Sequence, residues 1–198
     1  MLTGAMEIFL IAFSTIAIAE MGDRTQLLSL FLSAHFRKPW AITAAIFVAT
    51  LANHALAGLV GVWIGRYLTP AILDAVVGIS MLVMAGWTLI PDKLDGDTQI
   101  ASRGAFVTTL LAFFVAEIGD KTQIATLALA AGYSNLPAIV AGTTLGMMAA
   151  NIPVVFLGAA FARNLPMKKI HLVASVLFAL LGLYFIARAA AHWLHFTP

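Results

Sequence analysis

Two acids and a base recur at one spacing in this 198-residue chain: Glu20, Asp23 and Arg24, then Glu117, Asp120 and Lys121. Both sets sit inside stretches that are otherwise apolar, where each ionised side chain costs roughly 2.5 to 3.5 kcal/mol at the centre of a membrane helix. Such residues must face protein, water or an ion. Glu20 and Asp23 are i,i+3 neighbours, which share one face on a regular helix, and Gln26 lies a turn further along beside Asp23; Gln123 holds the matching place in the second set. Two such helices meeting at a pseudo-twofold axis would gather four carboxylates, and a divalent cation is the compact remedy for their repulsion. The donors on offer are carboxylate, amide and hydroxyl oxygens, which suit a hard ion such as Ca²⁺, Mn²⁺ or Mg²⁺. Burial and neighbouring like charge both favour the protonated form of a carboxylate, so protons and an arriving cation compete for the same atoms. That competition is the minimum chemistry of cation/proton exchange.

A plainer reading exists, because Glu20 and Arg24, like Glu117 and Lys121, are spaced i,i+4 and could be structural ion pairs. The repetition argues for the cation site, as it leaves Asp23 and Asp120 as surplus acids in both copies. Arg24 and Lys121 then become charge partners that pair with the acids when the site is empty and release them when metal binds. Gly22 and Gly119, lying between the acids, permit a local kink or unwinding that admits backbone carbonyls to the ligand set. Thr25 and Thr122 point away from the acids on an ideal helix and contribute only if the segment unwinds. Asn53 and Asn151, at nearly matching places in the two halves, either complete a coordination shell or hydrogen-bond a neighbouring helix. His54 has no counterpart in the second half and reads as a packed or water-facing side chain. His192 and His195 could bind metal adventitiously, but they read rather as part of a solvated terminus.

The elements that position these residues follow from composition: 62% hydrophobic and 10% charged residues are too apolar a mixture for an ordinary water-soluble domain. A membrane helix needs about 20 residues, and six runs are long enough, near 6–34, 40–65, 71–90, 104–132, 137–161 and 170–191. If the first helix is continuous, Glu20 lies about 21 Å beyond Met6, near the middle of the bilayer. The first run lacks a basic flank and carries Glu20, Asp23 and Arg24 in its interior, so it reads as a mature span and not as a secretory signal. Without cysteine there is no disulfide framework, thiolate metal site or cysteine nucleophile. The formal charge of +2 is explained by short basic loops, and nucleic-acid binding has no support.

Six spans place both termini on one side. Arg37, Lys38, Lys93, Arg103, Arg163, Lys168 and Lys169 fall on one set of loops and only Arg66 and Arg188 on the other, so the first set is expected in the cytoplasm and both termini outside it. The stretches FLIAFSTIAIAEMGDRTQLLSL (9–30) and FVTTLLAFFVAEIGDKTQIATL (106–127) align without a gap at an offset of 97, a duplication. The same register sets Arg66 against Arg163 and Trp87 against Tyr184. Three spans per copy force the second to enter the membrane from the opposite side, which gives inverted repeats, as in many secondary transporters. The expected fold is an all-α membrane protein of six transmembrane helices: a first repeat over 1–90, an acidic cytoplasmic linker over 91–103 holding Asp92, Asp95 and Asp97, and a second repeat over 104–198. Gly58, Gly61 and Gly65, with Gly142 and Gly146, form small-residue faces for close helix packing, and Pro153 is expected to bend the fifth span.

The duplicated Glu-x-Gly-Asp-[Arg/Lys]-Thr motif, intact as EMGDRT and EIGDKT, closely resembles the Gdt family of Ca²⁺/Mn²⁺:H⁺ antiporters, also called uncharacterised protein family 0016. Its members include bacterial manganese exporters of the MneA type and Golgi transporters of eukaryotes. The resemblance extends over nearly the whole chain. It implies cation export from the cytoplasm driven by proton entry across the cell inner membrane, with no cofactor and with Glu20, Asp23, Glu117 and Asp120 at the site. For a chain of this length, without the N-terminal extension typical of eukaryotic members, manganese is the expected substrate and calcium/proton exchange the runner-up. An intramembrane enzyme acting on a lipid-linked substrate is the competing class, disfavoured because Arg24 and Lys121 are the only bases in the motifs.

Overall fold

The computed structural model describes residues 2–90, 104–158 and 166–196. The linker 91–103, with its aspartates, Lys93 and Arg103, lies outside the described residues, as do Arg163 and the side chain of His195. Eight helices make up the described part: α1 (Leu2–Ala19), α2 (Arg24–Phe36), α3 (Pro39–Gly65), α4 (Pro70–Thr88), α5 (Ala105–Glu117), α6 (Lys121–Gly132), α7 (Leu136–Leu157) and α8 (Met167–Phe196). Among the described residues there is no strand.

By length and composition α3, α4, α7 and α8 can each cross a membrane, and α1 with α2 forms a fifth candidate span bent by 68° at its break. The first and fourth apolar runs are therefore not continuous helices, and the premise that Glu20 and Asp23 share one helical face fails. Gly22 and Gly119 mark the breaks, with φ of 84° and 76°, a left-handed conformation that side chains with a Cβ resist. In both places the chain makes one tight turn, Asp23 N–H donating to the Glu20 carbonyl and Asp120 N–H to the Glu117 carbonyl, each at 3.1 Å. The aspartates then open the next helix as N-caps with almost the same extended backbone, ψ 166° and 161°. Elsewhere the ends are set by familiar signals: Pro39 and Pro70 in the first turns of α3 and α4, the latter behind Thr69, and Asn135 capping α7 through Ala138 N–H. Helix α7 runs on through Pro153 to Leu157.

The strongest packing joins the two halves of the sequence. α1 lies along α7, α3 along α5, α6 and α7, and α4 along α8. Glycines make these approaches close: a Cβ added at Gly142 would come within 2.6 Å of the Phe9 carbonyl, and one at Gly146 within 2.6 Å of the Phe13 carbonyl, while one at Gly61 would overlap the Leu127 carbonyl. Gly78 and Gly182 meet in the same manner where α4 crosses α8. Two apolar clusters result. One is built from Ile16, Met81, Leu129, Ile139, Phe178 and their neighbours on α1, α4, α6, α7 and α8. The other gathers Leu32, Ile42, Ile46, Phe113 and Val155 from α2, α3, α5 and α7. Each helix break falls where the chain passes from one cluster to the other.

Candidate cation site

Unwinding at the breaks ties the motif residues to one another in a way a straight helix cannot. Thr25 Oγ1 donates to Glu20 Oε1, and Thr122 Oγ1 to Glu117 Oε2 at 3.0 Å. Both threonines, which an ideal helix would have turned away, thus contact their glutamates. Gln26 accepts from Gly22 N–H at 2.8 Å and Gln123 from Gly119 N–H at 2.7 Å. Their amide oxygens satisfy a donor freed by the break, buried at Gly22 and exposed at Gly119, so in this conformation the glutamines brace the turns. The recurrence of Thr-Gln after each base was the signal for these roles.

The asparagines connect each break to the opposite half. Asn151 of α7 donates to Glu20 Oε1 at 3.4 Å and accepts from Ser29 at 2.5 Å. Asn53 of α3 accepts from Gln123 at 3.3 Å and donates to the Phe114 carbonyl at 3.1 Å. Each therefore serves a neighbouring helix, and Asn151 in addition touches an acid of the motif. Ser29 carried no distinguishing pattern in the sequence. His54 is packed, wholly buried, with neither ring nitrogen hydrogen-bonded among the described residues.

Charge is exchanged between the halves. Lys121 Nζ lies 2.9 Å from Asp23, and Arg24 lies 3.2 Å from Asp120 and donates to the Ala116 carbonyl at 2.5 Å. The i,i+4 pairs that spacing suggested are thus replaced by pairs across the repeat, and the supposed surplus aspartates are the acids that the bases neutralise. A break explains this, since it carries each base out of the helical register that would have aimed it at its own glutamate. Glu20 and Glu117 are wholly buried, and each keeps one carboxylate oxygen without a hydrogen-bond partner among the described residues. Glu20 lies within electrostatic range of Asp23, Glu117, Asp120 and Lys121, so the acids of the two halves share one neighbourhood. They do not form a closed ligand set in this conformation: among the described residues no group of three or more carboxylate or imidazole side chains is arranged to hold a metal ion.

A second charged group escaped sequence reading. Asp74, buried in α4, lies 3.2 Å from Arg188 and 3.5 Å from His192 on α8. His192 is thus not part of an unstructured tail: it lies within α8, which continues to Phe196, and its side chain, 38% exposed, contacts Asp74 of α4.

Apolar helices that bury opposed acids and bases at paired breaks define a membrane protein with an ion-handling interior. A family model described as divalent cation/proton antiporter GDT1 matches residues 8–96 and 105–193, and the chain belongs to that family. It is a family of transporters and not of enzymes. Both ends of the second matched stretch lie 97 residues beyond those of the first, the offset at which the motifs align. A Vibrio cholerae protein named "Putative manganese exporter" is 54% identical over 179 residues, covering 90% of each chain. The Synechocystis "GDT1-like protein sll0615" is 26% identical over 83% of this chain and 89% of its own length. "Protein PAM71, chloroplastic" of Arabidopsis thaliana is 26% identical over 86% of this chain and 54% of its own length. No solved structure matches the chain.

Proposed function

We propose that this antiporter exports Mn²⁺ from the cytoplasm in exchange for protons, with Glu20, Asp23, Glu117 and Asp120 as the acids that bind the cation and the proton in turn. One observation carries the reading: two breaks with buried acids, one from each half, are fastened to each other by Asp23–Lys121 and Asp120–Arg24. In this scheme the bases stand in for the substrate. An incoming divalent ion draws the aspartates away from them and joins the free oxygens of Glu20 and Glu117, with Asn151 and Thr25 beside it. Protons reload the same carboxylates on the return. Manganese is preferred over other hard ions because of the Vibrio cholerae relative's name. The all-oxygen donor set also suits Ca²⁺, which makes calcium/proton exchange the second reading.

The scheme uses six spans in two inverted repeats, 1–90 and 104–198, joined by the linker 91–103, with α1–α2 and α5–α6 as the broken first span of each. Near-identical turns at Glu20–Asp23 and Glu117–Asp120 support the repeat. The basic residues Arg37, Lys38, Lys168 and Lys169 support a cytoplasmic placement of their loops and the termini outside, in the cell inner membrane.

Reconstituted protein tests the proposal through simultaneous readings of Mn²⁺ or Ca²⁺ flux and lumenal pH. Opposed metal and proton movement, lost in Glu20→Gln and Glu117→Gln while the protein stays folded, is expected. Metal flux without counter-movement of protons would remove the exchange mechanism, and Ca²⁺ flux well above Mn²⁺ flux would favour the second reading.

A further inference from the structure

The two breaks match in backbone and differ in surroundings. Gly22 is buried, and the turn around it is walled by α7, to which Gln26 donates through the Ala150 carbonyl at 2.9 Å. The second break is open. Ile118 is 57% exposed, Gly119 is exposed, and no atom of the described residues lies within 4 Å of a Cβ built at Gly119. The bases differ in the same sense: the Lys121 side chain is 1% exposed against Asp23, whereas that of Arg24 is 36% exposed beside Asp120 and the Ala116 carbonyl. Unwound backbone and a partly exposed arginine are not tolerated against lipid tails; at membrane depth they must meet protein or water. With 36% of its side chain exposed beside that open turn, Arg24 carries a charge that is stable at membrane depth only where water reaches its exposed part.

We infer that the second break is the water-accessible mouth of the acid cluster in this conformation and that Arg24, seated in it, is the side chain an entering cation displaces first, ahead of the buried Lys121 at Asp23. The mouth follows from geometry alone; the displacement rests on the cation-exchange reading above. The repeats are then unequal in role. Asp120 is the first acid a cation meets, and it is presented by the partly exposed base. Asp23 and Glu20 lie deeper, behind α7.

The absence of native cysteine permits a direct test on the full chain in proteoliposomes. A membrane-impermeant methanethiosulfonate should label Ile118→Cys roughly ten times faster than Met21→Cys, since thiol reactivity follows exposure to water, and from one face of the membrane. Equal rates, or no labelling at 118, overturn the mouth. For the gate, Mn²⁺ transport is titrated at alkaline pH, where protons compete least. Arg24→Gln should lower the half-saturating Mn²⁺ concentration roughly two- to fivefold, the worth of a partly exposed ion pair, and Arg24→Lys should return it toward the starting value. An unchanged half-saturation in Arg24→Gln overturns the gating role. Persistent labelling at 118 with no metal flux in any variant keeps the mouth and counts against the transport reading instead.

Discussion

A lysine with 1% of its side chain exposed persists in the interior because it is paired, with Asp23 lying 2.9 Å away. Removing one member of such a pair strands the other, so Lys121→Gln is expected to cost about 3 to 5 kcal/mol, seen as a lower yield and an earlier thermal transition in detergent. The double change Lys121→Gln with Asp23→Asn should recover much of that loss. Protonation gives a second residue-scale expectation. A protonated carboxylate is a poor ligand, so the half-saturating Mn²⁺ concentration should rise as the pH on the loading side falls, as a titration of initial flux against pH will read. The acids, amides and bases of the motif were legible from their repeated spacing, and so was the possibility of unwinding at Gly22 and Gly119. Their partners were not. Spacing on a regular helix assigns Arg24 to Glu20, and only the break, which no local pattern fixes, sends it to Asp120.

Elements in this fold are spaced by what they lack. Gly142 and Gly146 bring α7 onto the backbone of α1, where a Cβ would lie 2.6 Å from a carbonyl oxygen in each case. Overpacking of this kind costs about 1 to 3 kcal/mol, so Gly142→Ala should lower the melting temperature measurably. Gly86→Ala in α4 is its control, since no atom of the described residues lies within 4 Å of a Cβ there, and helix propensity should make that change neutral or slightly stabilising. The small-residue faces were readable because their spacing is helical and their residue type has one use in close packing. Which helix each face meets was not readable. Gly142 pairs α7 with a helix far away in sequence, and pairing of that range leaves no trace in local periodicity.

The whole molecule is assembled by exchange between its halves. α1 rests on α7, α3 on α5 and α6, and α4 on α8, so neither half contains its own core. Expressed alone, residues 1–97 or 98–198 should yield unstable protein, and co-expression should restore a complex that survives purification, because the interfaces broken by the cut are those of the intact chain. Recovery of a stable, monodisperse single half would contradict this. The duplication was visible in sequence as an ungapped alignment, but two copies side by side and two copies interleaved share that alignment.

The reciprocal fastening of Asp23 to Lys121 and Asp120 to Arg24 also bears on fidelity. Any displacement of one repeat against the other strains both bonds together, so a lone, half-completed swing has no electrostatic resting point. Under the proposed scheme the carrier switches as a unit, and slippage, in which the metal or the proton crosses unaccompanied, is suppressed by the wiring itself.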